Sequence, residues 1–154
     1  MEQKNNQTLT DEKIDSMIQK MNLVYFAIIA GVVGFAALSF YLVEIAGKNL
    51  SPELDDTFKI VVPLLAVSCA FASRFLYSRL IKKAALAEGS QRIANYQAAI
   101  LVRLAILEGP CLFAIVAYLL IGNSFYLIIL AAILILMLLH KPSRFRYQEE
   151  MEAT

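Results

Sequence analysis

Glu108 is the residue best placed to do chemistry. It is the one acidic side chain deep in a long apolar run, and Gly109 and Pro110 follow it directly. A carboxyl group in hydrocarbon is penalised by roughly 3 kcal/mol, so it is neutralised, paired or turned towards a cavity. Pro110 has no amide hydrogen and clashes with the carbonyl of Ile106, which predicts a helix kink. Gly109 opens room there for another helix or for water. A carboxyl beside a bend and a freed carbonyl suits proton or cation handling.

Arg74 and Arg103 are the cations within reach. If the helices on either side of Gly89 form an antiparallel hairpin, Glu108 lies 19 positions after the turn and Arg74 lies 15 before it. The depth offset is about 6 Å at the α-helical rise, which an arginine can span. Arg103 is five positions from Glu108 on the same helix, a poor angular match. The expectation is an Arg74–Glu108 ion pair, with Arg103 snorkelling to the headgroups or joining a network. Two readings stay open. One is a structural pair that fixes helix register; the other is a protonatable carboxyl used in transport, coupling or ligand binding.

Other chemistry is thinly supplied. His140 is the only histidine, so metal clusters and acid–base relays have few ligands. Cys69 and Cys111 lie in apolar runs without CxxC spacing and read as small packing residues. Ser39, Ser68 and Ser73 have no histidine or paired aspartate in the spans to activate them. No metal, cofactor or catalytic residue is expected, and the chain reads as a non-enzyme. The net charge of +1 gives no basic field for nucleic acid.

The elements that would hold these residues are membrane helices. Of the 154 residues, 59 % are hydrophobic and 18 % charged, and the mean hydropathy is +0.62. A water-soluble core of this size could not bury that surplus. An all-α integral membrane protein with four transmembrane helices is expected, at about 23–43, 60–82, 98–121 and 124–140 within a domain of residues 23–140. Residues 1–22 read as a polar tail with a short amphipathic helix, capped at Thr10 and striped by Ile14, Met17, Ile18 and Met21. They hold no apolar signal run and no cleavage site, so the first span is expected to act as its own insertion signal. Ala27, Gly31 and Gly34 form a small-residue strip on that span, suited to helix packing within the chain or to homodimerisation. Gly47, Asn49 and Ser51–Pro52–Glu53 belong to a polar connection, with Pro63 in the first turn of the second span. Glu88–Gly89–Ser90 supplies a break, with Ser90 as cap. Tyr41, Tyr77, Tyr96 and Tyr126 suit interfacial belts. Residues 141–154 read as a polar tail.

Orientation follows from lysine and arginine. Eleven fall in the two tails and the middle connection, and two, Lys48 and Lys59, fall on the other side. Both termini are therefore expected in the cytoplasm.

The segment Leu104-Ala105-Ile106-Leu107-Glu108-Gly109-Pro110-Cys111-Leu112-Phe113 and onward to Leu120 resembles a Glu-Gly-Pro segment of uncharacterised small four-helix membrane proteins of Bacteroidota. That resemblance covers most of the chain and implies a bacterial inner-membrane protein with no assigned activity. The segment is also distantly similar to the second helix of rotary ATP synthase proteolipid c subunits, which would make Glu108 an ion carrier. The departures are that residues 60–82 contain no glycine, the polar-loop Arg-Gln-Pro is absent, and Pro110 follows the glutamate almost at once.

The expected function is that of a small accessory or packing subunit of a membrane assembly, its partners being the lipid bilayer and other membrane subunits or further copies of itself. The alternative is proton- or cation-coupled transport, or ion translocation, through Glu108.

Overall fold

Between residues 2 and 30 the sequence contains neither glycine nor proline, so nothing interrupts a helical hydrogen-bond ladder once it has started. The structure, a computed structural model that describes residues 2–45 and 52–152, shows the consequence. Helix α1 runs from Glu2 to Phe40 without a break and ends in a π-helical turn, Tyr41–Ile45. The separate amphipathic helix capped at Thr10 is not formed, because Thr10 lies inside α1. A cap contributes about 1 kcal/mol, whereas a new start repeats the costly nucleation step. The apolar stripe does face inward: Met17 and Met21 are buried, with Ile14 and Ile18 packed beside them.

Gly47, Lys48, Asn49 and Ser51 lie outside the described residues. A 3-10 turn, Pro52–Leu54, leads into α2, which spans Asp55–Ala85. The helix thus starts five residues before Ile60, and Pro63 sits in its third turn rather than its first. Helix α3 spans Gly89–Ile121. Its break from α2 depends on Gly89, whose φ of +54° is disfavoured for residues with a side chain. Ser90 does not cap it. Glu88 holds that position in an extended conformation, without a side-chain bond. At the other end Gly122 adopts φ +76°, and its N–H closes on the Tyr118 carbonyl at 2.7 Å, a left-handed C-terminal cap. Helix α4, Phe125–Leu139, follows after three residues. The C-terminal stretch is not a simple tail: Arg144–Glu152 forms α5, turned 75° from α4.

Three helices, in α1, α2 and α3, are long and apolar enough to cross a membrane, and the bent pair α4–α5 makes up to four. No strand occurs among the described residues. Helix α3 packs against α1, α2 and α4, and half of its apolar window is buried, against 17 % for α1 and 11 % for α2. The outward faces of α1 and α2 are apolar, with Leu23, Ile60 and Phe71 each more than 70 % exposed. Water would not tolerate that surface; lipid does.

Four fully buried tyrosines, Tyr25, Tyr96, Tyr118 and Tyr126, fill the core. Tyr96 and Tyr126 are therefore core residues rather than belt residues, and Tyr41 remains exposed. The Tyr25 hydroxyl donates to the Met137 carbonyl at 3.2 Å, joining α1 to α4. Tyr25→Phe is expected to cost about 1 kcal/mol, read as a drop of a few degrees in the melting temperature of the detergent-solubilised protein. No drop at all would show that this bond contributes nothing.

Candidate functional site

The two ends of the bundle set the depth of every group between them. Asp55 starts α2, and Arg74 lies 19 positions later, about 28 Å along the axis. On α3, Arg103 and Ile121 are 18 positions apart, about 27 Å. Each interval is close to one hydrocarbon thickness. Arg74 and Arg103 therefore lie at one end of an apolar interval of that length, and Asp55 with Gly122–Asn123 lies at the other. Both tails gather at the arginine end. Arg144 pairs with Asp15 at 2.9 Å, the Tyr77 hydroxyl donates to Glu150 at 2.6 Å, and Tyr147 packs edge-on against Tyr96.

Glu108 lies five positions inside Arg103, about 8 Å into the apolar interval and about 20 Å from Ile121. It is half-buried, at the edge of an outward stripe of α3 formed by Leu101, Ala105, Gly109, Leu112 and Val116, all exposed. The opposite face of α3, with Leu104, Leu107, Pro110, Cys111 and Ala114, is buried in the core. Helix α3 continues through Pro110, whose ring is fully buried. A Cβ added at Gly109 would meet nothing within 4 Å. Gly109→Ala should thus leave the thermal stability of the isolated chain unchanged, or raise it through helix propensity by up to about 1 kcal/mol. A fall of several degrees would mean that the gap is filled from within the chain.

The expected Arg74–Glu108 pair is not made. Neither side chain has a hydrogen bond or ion pair among the described residues, and Arg74 is exposed on α2. The physical reason is depth and direction: Arg74 sits at the boundary level, while Glu108 faces outward from the other helix. Arg103 joins neither. Its guanidinium lies 4.5 Å from the centre of the Tyr77 ring, a cation–π contact between α3 and α2. Its Nε is buried with no hydrogen-bond partner, a deficit of about 1–3 kcal/mol if left unfilled.

The small strip on α1 also looks outward. Ala27, Gly31 and Gly34 are exposed, on the face opposite the buried Tyr25, Val32 and Ser39. A Cβ at Gly31 or Gly34 would meet nothing within 4 Å. Among the described residues, the strip therefore packs against no other helix of this chain.

Sequence reasoning missed the polar cluster at the far end. Asp55 accepts from Asn123 Nδ2 at 3.1 and 3.2 Å, lies 2.9 Å from the Tyr126 hydroxyl, and pairs with Lys59 at 2.7 Å. The available signal was Asp55 and Lys59 at helical spacing, opposite a tight turn with Asn123 and Tyr126 three residues apart. Nearby, the Tyr118 hydroxyl donates to Glu44 Oε1 at 3.1 Å. Among the described residues no group of histidine, cysteine or carboxylate side chains is arranged to hold a metal. Cys111 is buried and Cys69 half-buried, both as free thiols.

Compared with protein-family models, curated proteins and solved structures, the chain matches none of them.

Proposed function

We propose that the chain is a non-enzymatic polytopic membrane protein, with four spans and both termini in the cytoplasm, that serves as an accessory or packing subunit of a larger membrane assembly. One observation carries this reading: Glu108 lies within the apolar interval, half-buried at the edge of an outward stripe of α3, with no partner among the described residues. A carboxyl so placed is costly against lipid and is relieved by a polar group from another helix. Small residues flank it at Ala105 and Gly109, so a second backbone can come close. The outward strip of Ala27, Gly31 and Gly34 supplies a second close-approach face. The four-span topology is supported by the gathering of both tails at the arginine end, because the lysine and arginine excess then falls on one side. A bacterial inner membrane is the setting this topology suits.

The test is extraction in mild detergent followed by light scattering. The wild type should elute as a complex larger than one chain in its micelle, and Glu108→Leu should shrink it. A monomeric wild type, unaltered by the substitution, contradicts the reading.

A second reading, proton or cation passage, is favoured by the open space beside Gly109 next to an unpaired carboxyl. It requires a pH-dependent flux in proteoliposomes that Glu108→Gln abolishes. Absence of any flux removes it and leaves the packing role standing.

A further inference from the structure

The end of the bundle that gathers both tails holds a cleft of about 550 Å³. Its cations come from three helices, Arg74 and Lys82 from α2, Arg103 from α3 and Arg146 from α5, and His140, after α4, also lines it. Helix α5 also contributes Glu149 and Glu150, and Glu150 already accepts from Tyr77 at 2.6 Å. Four permanent positive charges thus face two carboxylates. Arg74 and Lys82 make no hydrogen bond or ion pair among the described residues, and Arg103 Nε is buried without an acceptor. His140 is oriented as well. Its Nδ1 lies 2.6 Å from the Leu136 carbonyl, which can only accept, so Nδ1 carries the hydrogen and Nε2 of the neutral ring is one acceptor set against the four cations. Donors therefore outnumber acceptors in a space large enough for a tetrahedral anion and its ester.

We propose that this cleft binds a phosphate group, with Arg103 and Arg74 as its principal donors. Guanidinium forks match phosphate oxygens in pairs, and the Arg103 guanidinium is held in place over the Tyr77 ring where it lines the cleft. The level of the cleft indicates where the phosphate comes from. Arg74 and Arg103 stand at the hydrocarbon boundary, where phospholipid headgroups lie, and basic pockets between membrane helices at that level suit anionic lipids. A free phosphate ester entering from water would use the same donors. The proposal rests on the membrane placement above and not on any role of Glu108.

The experiment uses the full chain in phosphatidylcholine nanodiscs doped with phosphatidylglycerol, with retained lipid counted by native mass spectrometry. The wild type should retain phosphatidylglycerol in preference to phosphatidylcholine. Arg103→Gln and Arg74→Gln should each weaken that preference about tenfold, the loss expected for one charge-assisted hydrogen bond. Lys141→Gln, which removes an exposed charge outside the cleft, should leave it intact. Arg74 is exposed on α2, so its variant folds even if the Arg103 variant does not. A second arm titrates inorganic phosphate against the protein in pure phosphatidylcholine nanodiscs. Stabilisation there that is lost in Arg74→Gln supports the phosphate site and assigns it to a soluble ester. No lipid preference and no phosphate effect, or an equal loss in Lys141→Gln, overturns the proposal. Because Glu108 is untouched in every variant, failure here leaves the subunit reading unaffected.

Discussion

Asp55→Ala is expected to lower the melting temperature of the solubilised protein by about 4 °C. The substitution removes the acceptor shared by Asn123, Tyr126 and Lys59 at the far end of the bundle. The Tyr126 hydroxyl keeps the Asp55 main-chain carbonyl, 3.1 Å away, as an acceptor after the substitution, so the loss falls on the Asn123 amide and on Lys59. Losing the hydrogen bond from the half-buried Asn123 amide costs about 1 kcal/mol, and the exposed pair with Lys59 adds only a fraction more. A total of about 1.5 kcal/mol, at roughly 2–4 °C per kcal/mol for a chain of this size, gives the stated shift. Asp55→Asn keeps a side-chain acceptor for Asn123 and should recover most of the loss. Lys59→Ala should cost less than 1 kcal/mol. If Asp55→Asn were as damaging as Asp55→Ala, the charge rather than the shared acceptor would be holding α2 to α4.

Glu108→Leu is expected to weaken the assembly about tenfold, while the isolated chain keeps or gains stability. The two effects have opposite signs for one reason. Within the chain the carboxyl has no partner among the described residues, so an apolar side chain removes a cost. Between chains it would meet a polar group, and interhelical hydrogen bonds in membranes contribute about 1–2 kcal/mol. That range corresponds to roughly 5- to 30-fold in association. Glu108→Gln retains hydrogen-bonding capacity and should lie between the wild type and Glu108→Leu. Blue-native electrophoresis across a dilution series separates these cases. If Glu108→Leu destabilised the isolated chain instead, the carboxyl would have an intramolecular partner.

Hydropathy made the long helices legible because each span must satisfy its own backbone hydrogen bonds in lipid. Boundaries were read less well, for physical reasons. The cap signal at Thr10 is local and weak beside an uninterrupted ladder, so α1 passes through it. Ser90 has capping chemistry, but Gly89 supplies the left-handed turn, and that decides where α3 starts. Helix α5 was hidden because Arg144–Glu152 is short and mostly polar, with Phe145, Tyr147 and Met151 too few to form a helical stripe; it is anchored by tertiary contacts of Arg144, Tyr147 and Glu150.

The candidate site was legible as residue types but not as directions. Glu108, Arg74 and Arg103 were all singled out, yet residue counting from the turn fixes depth and says nothing of which face a side chain takes. Arg103 turned to Tyr77, and Glu108 turned to the edge of the outward stripe. The tyrosines show the same limit. A tyrosine suits an interface or a core equally well by composition, and only the neighbours Tyr147 and Asp55 place Tyr96 and Tyr126 inside.

Oxygen accessibility of a spin label on the outward stripe tests the account most directly. With Cys69→Ser and Cys111→Ala removing the native thiols, a nitroxide at Leu112→Cys is measured twice: in the isolated chain in nanodiscs, and in native membranes. The account predicts high oxygen access in the isolated chain, as for a lipid-facing site, and low access to both oxygen and aqueous nickel chelates in native membranes. Equal, high oxygen access in both settings would show that lipid alone covers the stripe, and would contradict a partner at Glu108.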